Sequence, residues 1–176
     1  MHCFLMARAT RRVEKIRILL ADDNAAFRKN LGVFLELGRQ FTVVGHARNG
    51  REAVEMTRKL RPAVVLMDVT MPLLNGLMAT KQIVAGNPAS KVLILSMHSS
   101  DEYADYAAAV GAVGFLEKTG SPELVTKAIL SVLNGNKVFG PTVRNDRPAG
   151  LEDRTPSPRK TAPIRICDGG RPASSR

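Results

Sequence analysis

Residues 63–68 read AVVLMD, and the chain continues as VTMPLLNG through residue 76. The first segment is apolar at every position until it ends on Asp68. A run this short and unbroken, rich in valine, predicts a strand buried on both faces. Pro62 stands directly before it and closes the preceding helix. Asn75 can cap a new helix running to about Ala85. A strand covered on both faces needs helices above and below it, so this stretch points to an α/β sheet.

Outward from it the pattern repeats. Toward the N-terminus, IRILLA (16–21) and FTVVGHA (41–47) read as strands. Between them Phe27, Leu31, Phe34 and Leu35 recur on one helical face that stops near Gly38. Asn49–Gly50 leads into a helix carrying Ala53, Val54, Met56 and Leu60. Toward the C-terminus, KVLILS (91–96) and VGFLE (113–117) are strands. Ser100 can cap a helix with Tyr103, Tyr106, Ala107 and Val110, ending at Gly111. Ser121–Pro122–Glu123 opens a last helix bearing Leu124, Val125, Ala128, Ile129, Val132 and Leu133. Asn134–Gly135–Asn136 stops it. Five β–α units in succession predict a doubly wound parallel sheet with helices on both faces.

The chain has 176 residues, 44% of them hydrophobic, and a net charge of +10. The charge is uneven. Residues 1–15 hold four basic and one acidic residue, residues 16–140 fourteen and eleven, and residues 141–176 eight and four. The tails carry the excess without an apolar face or aromatic platform, so the expectation is solvated, disordered ends rather than a nucleic-acid surface. No apolar run approaches the roughly 18 residues of a membrane span. The four-residue apolar stretch near the start is too short for a signal peptide. Cys3 and Cys167, the only cysteines, supply neither a zinc site nor a disulfide framework. The expected setting is a reduced cytoplasm.

Doubly wound sheets bind ligands at the carboxyl ends of their strands. There the sequence places Asp22 and Asp23 after the first strand, Asp68 at the third, Ser96 at the fourth and Lys118 just after the fifth. Taken singly, Asp22–Asp23–Asn24 reads as a helix cap, Asp68 as a turn residue and Lys118 as a solvated lysine. Together, three converging carboxylates repel one another unless a hard cation such as magnesium joins them. An ammonium and a hydroxyl beside them describe a site that takes a phosphoryl group on an aspartate.

With LLADDN, VVLMDVTMPLLNG, VLILSMH and GAVGFLEKTGSPEL in this order, residues 16–140 resemble the receiver domain of bacterial two-component response regulators. The most specific piece is Asp68, Met71, Pro72 and Gly76. The SMH tripeptide, the KT after the fifth strand and AILSVLNGNKVFG resemble the NarL/FixJ subfamily. The resemblance implies a flavodoxin-like (βα)5 fold with strand order 2-1-3-4-5. It implies Asp68 as phosphoacceptor and Asp22, Asp23, Asp68 and the Thr70 backbone carbonyl as magnesium ligands. It makes Lys118 the phosphoryl partner, Ser96 the switch hydroxyl and Phe115 the aromatic switch residue, which packing alone would read as core. A sensor histidine kinase is the implied donor. The fourth helix, fifth strand and fifth helix form the implied switching surface, with dimerisation there or through the last helix. The subfamily tolerates Thr119, where many receivers carry proline. Gly32 inside the first helix costs about 1 kcal/mol relative to alanine.

Residues 141–176 are rich in Pro, Arg, Ser and Gly and show no stripe of a helix-turn-helix domain. The reading is a linker, or a frame shifted near residue 154, with Met6 as a second candidate start. Two other functions compete. One is a DNA-binding transcription regulator, truncated or frameshifted before its output domain or using the basic tail directly. The other is a magnesium-dependent phosphatase or other hydrolase, which needs a general acid; His46 and His98 are the internal histidines.

Overall fold

Val64, Val65, Leu66 and Met67 are all buried, and so is Asp68 at their end. The computed structural model describes residues 14–97 and 101–139. Its elements are β1 (Ile16–Ala21), α1 (Ala25–Leu37), β2 (Phe41–Ala47), α2 (Gly50–Leu60), β3 (Val64–Asp68) and α3 (Gly76–Gly86). These are followed by β4 (Lys91–Ser96), α4 (Asp101–Ala109), β5 (Gly114–Glu117), α5 (Pro122–Leu133) and β6 (Val138–Phe139). The sheet is parallel throughout, in the order β2-β1-β3-β4-β5-β6.

The expected order 2-1-3-4-5 is therefore present and gains a strand beyond β5. β6 escaped the sequence reading because two residues carry no periodicity. Gly135 turns the chain out of α5 with φ +89. Val138 then donates its amide to the Val113 carbonyl at 3.0 Å.

Alternation along the strands divides the core between the two faces. Ile18, Leu20, Leu66, Leu93 and Leu95 pack with Leu31 and Leu35 of α1 and Val125 and Ile129 of α5. Leu19, Val65, Met67 and Ile94 pack with Ala53 of α2, Ile83 of α3 and Ala107 of α4. Among the described residues no helix is long and apolar enough to cross a membrane.

Asparagine side chains start the first three helices. Asn24 accepts from Phe27 N–H at 3.0 Å, Asn49 from Glu52 N–H at 2.9 Å and Asn75 from Met78 N–H at 2.8 Å. Each cap contributes about 1 kcal/mol. Ser121 occupies the corresponding position of α5 but makes no such cap bond. Its hydroxyl serves the Glu123 carboxylate instead, and that bond leads the causes holding Glu123 below the usual carboxylate pKa. The Ser100 cap expected for α4 lies outside the described residues, as do residues 1–13 and 140–176.

Gly32 faces β2 across a modest gap. A Cβ there would stand 3.4 Å from His46 Cε1 and 3.4 Å from Leu20 Cδ1, ordinary contact distances. Gly32→Ala is expected to raise stability by up to about 1 kcal/mol through helix propensity. Denaturant unfolding checks this, and a loss of stability would show that α1 sits closer to the sheet than these distances indicate.

Candidate functional site

β1 and β3 are neighbours, with Ala21 opposite Met67. The residues that follow, Asp22 and Asp68, are thereby brought to the same edge of the sheet. β5 reaches that edge across β4, with Ser96 opposite Glu117 and the Lys118 amide donating to the Ser96 carbonyl at 2.8 Å. Strand register alone thus gathers Asp22, Asp68, Ser96 and Lys118.

The Lys118 ammonium bridges the two buried carboxylates. Nζ lies 2.7 Å from Asp22 Oδ2 and 2.8 Å from Asp68 Oδ1, and its side chain is 7% exposed. Burial alone would pull the lysine pKa down, but the two carboxylates outweigh it and hold it above its usual value. Asp68 shifts upward too, mainly because burial disfavours its charge, with Asp22 adding repulsion. Lys118 and a hydrogen bond from the Thr70 amide oppose that rise. Both shifts express one condition: carboxylates out of water, short of positive charge.

The other oxygen of Asp22, Oδ1, accepts from the Asn24 amide at 2.8 Å. Asn24 thus caps α1 and helps to seat Asp22, so the helix-cap reading of this stretch holds beside the clustering of its carboxylates. Asp23 is exposed beside them. Asp22, Asp23 and Asp68 each offer an oxygen, and these atoms lie within 4.8 Å of one another. Of these three carboxylates, Asp22 and Asp68 pair with the Lys118 ammonium. The donors are hard oxygens at an open edge, which fits a divalent cation such as magnesium.

The sequence reading missed two participants. The Phe27 ring lies under the ammonium, with Nζ 5.0 Å from its centroid, where its π-face favours the charge. Phe27 was legible only as an apolar residue of α1. Arg28 donates to the Asp22 backbone carbonyl, tying α1 to the end of β1.

The loop from Asp68 to α3 is tied at several points. Gly76 N–H donates to the Val69 carbonyl at 2.9 Å and Leu74 N–H to the Pro72 carbonyl at 2.7 Å. Gly50 N–H, at the start of α2, donates to the Leu74 carbonyl at 3.1 Å. Leu73, between these ties, has φ 65, a costly conformation for a bulky residue. Thr70 sits in this loop and is exposed.

Of the remaining predicted residues, Ser96 is buried at the end of β4. Phe115 is buried on the α3/α4 side of the sheet. His46 lines a cleft of about 330 Å³ between α1 and β2, whose lining includes none of the three carboxylates. His98 lies outside the described residues.

Residues 18–130 match the family described as response regulator receiver domain. The chain belongs to this family. Among its relatives, the transcriptional regulatory protein DegU of Brevibacillus brevis is 34% identical over 132 residues, covering 75% of this chain and 56% of that protein. This receiver chain thus spans little more than half the length of that regulator. A protein-glutamate methylesterase/protein-glutamine glutaminase of Pseudoalteromonas translucida is 40% identical over 104 residues, covering 58% of this chain and 27% of the relative. The matched region is therefore a signalling domain that also occurs within an enzyme. Among solved structures, the signal receiver domain of the putative response regulator NarL from Mycobacterium tuberculosis superposes with TM-score 0.67 at 31% identity. That match covers 70% of this chain and 99% of that one. The receiver fold and the two-component assignment stand on these matches together with the sheet order.

Proposed function

We propose that Asp68 accepts a phosphoryl group from a sensor histidine kinase, or from a small acyl phosphate, and that residues 16–140 form the responding unit. The observation that carries this reading is the Lys118 ammonium bridging Asp22 and Asp68, whose oxygens cluster with one of Asp23. In the reaction a carboxylate oxygen of Asp68 attacks phosphorus. The new O–P bond forms as the donor's P–N or acyl P–O bond breaks, and the leaving group takes that electron pair. Lys118 holds positive charge where phosphoryl oxygens arrive. Magnesium, held by Asp22, Asp23, Asp68 and the Thr70 carbonyl, would supply the divalent charge that offsets those oxygens.

Ser96 then donates its hydroxyl to a phosphoryl oxygen, and Phe115 takes the space beside it. The surface of α4, β5 and α5 changes as a result. Tyr103 and Tyr106 of α4 and Leu130 of α5 are among the exposed large side chains. This surface, or α5 with its neighbours, serves as a homodimer face. The unit transfers one group to itself and turns over no external substrate, so it is a signalling domain rather than an enzyme, at work in the cytoplasm. The regulator name of the DegU relative, with the 56% coverage, favours transcription control through a DNA-binding output domain outside the receiver as the downstream event.

Labelling with acetyl phosphate tests the site. Asp23→Ala is expected to raise the magnesium concentration for half-maximal labelling by about tenfold, the scale of a lost metal partner. The labelled mass at saturating magnesium should stay unchanged. An unaltered magnesium dependence would remove Asp23 from the ligand set.

A further inference from the structure

Nothing in phosphoryl transfer uses β6, yet β6 lies against the residue assigned as the switch. It pairs in parallel with β5, Gly114 opposite Val138 and Phe115 opposite Phe139. The approach is close. A Cβ on Gly114 would stand 2.7 Å from the Val138 carbonyl oxygen, so only glycine lets the two strands meet this way. The two side chains of β6 divide between the faces: Val138 joins the α1/α5 core, and Phe139 packs into the α3/α4 core. Phe115 belongs to that second core and is 4% exposed.

Side chains opposite one another on the same face of a sheet are in contact. Phe115 therefore has Ile94 of β4 on one flank and Phe139 on the other. Ile94 is fully buried and leaves no room. A Phe115 ring that swings away from the Ser96 side of β5 moves toward the place Phe139 occupies. An outward Phe115 would then compete with a docked Phe139 for that place.

We propose that β6 is a strap whose docking on β5 is coupled to the buried position of Phe115. Phosphorylation of Asp68 tightens it, and loss of the phosphoryl group loosens it. The inference rests on the phosphoacceptor reading above. It gives the chain that leaves the receiver a direct link to the switch, since the segment following α5 is drawn onto the sheet in one state and released in the other. The shift is bounded by the differential affinity of the phosphoryl group for the two states.

The test is amide hydrogen exchange on the isotopically labelled full chain, with and without acetyl phosphate and magnesium. Intact mass is read on the same samples. Protection of the Val138 amide is expected to rise several-fold on labelling. In Phe139→Ala that gain disappears, while Phe139→Leu restores it. A purely structural role for Phe139 would lower protection in both states and leave the gain intact, which would overturn the coupling. Full mass gain with unchanged Val138 protection in the parent chain would also overturn the strap, leaving the phosphoacceptor reading in place. Absence of any mass gain would overturn both.

Discussion

Lys118→Met is expected to destabilise the metal-free protein by about 3–5 kcal/mol, the range for removing one partner of a buried ion pair. Methionine keeps the length of the side chain and removes its charge. Asp22 Oδ2 and Asp68 Oδ1 then lose contacts of 2.7 and 2.8 Å, and two carboxylates remain buried against each other. The loss should depend on pH. Burial already pushes the Asp68 carboxyl up, and removing the ammonium pushes it further. A carboxyl that is the weaker acid when folded binds more protons folded than unfolded in the window above its unfolded pKa. Stability then falls as pH rises through that window, so the deficit shrinks toward acid. Magnesium should recover much of it by binding the folded state. Urea unfolding in chelator at mildly acidic and mildly alkaline pH, then with magnesium, checks all three points. A deficit below about 1 kcal/mol, the scale of an exposed pair, would show that water screens these charges.

Gly76→Ala is expected to cost about 3 kcal/mol and to slow phosphoryl acceptance as well. An added Cβ would land on the Asp68 carbonyl oxygen and 2.8 Å from its carbon, and backbone cannot step aside as a flexible side chain does. Relief requires the start of α3 to move away from the end of β3. That would break the hydrogen bond that Gly76 N–H donates to the Val69 carbonyl and loosen the loop that carries Thr70. Stability and labelling rate should therefore fall together. A variant with parent stability and parent labelling rate would contradict the close packing of this loop on the phosphoacceptor strand.

The fold was legible because its strands announce themselves twice. Each is a short apolar run; β3 and β4 end in Asp68 and Ser96, and Asp22 directly follows β1, so the register brings the three together. Asp22, Asp68, Ser96 and Lys118 needed only strand order to become neighbours. Phe27 was hidden because an aromatic on the apolar stripe of α1 looks the same whether it faces leucine or an ammonium. The tie between Gly50 and the Leu74 carbonyl was hidden too, since Asn49–Gly50 reads as an ordinary helix start and nothing local names its distant acceptor. Leu73 carries no mark of its left-handed backbone, because any L residue could stand there and be forced into it by the bonds on either side. β6 was missed through brevity: Val138 and Phe139 are apolar, but two residues cannot show a period.

The central claim is that Asp68, in the field of Lys118 and the acidic pair, accepts a phosphoryl group. Intact-mass measurement after incubation with acetyl phosphate and magnesium tests it most directly, on the parent chain beside Asp68→Asn. Asparagine keeps the shape of the side chain and removes the nucleophilic carboxylate, while Lys118 keeps Asp22 as its partner. The account predicts a labile gain of one phosphoryl group on the parent, lost on chelation, and none on the variant. A folded parent chain that gains nothing, or an Asp68→Asn chain that gains as much as the parent, would contradict it.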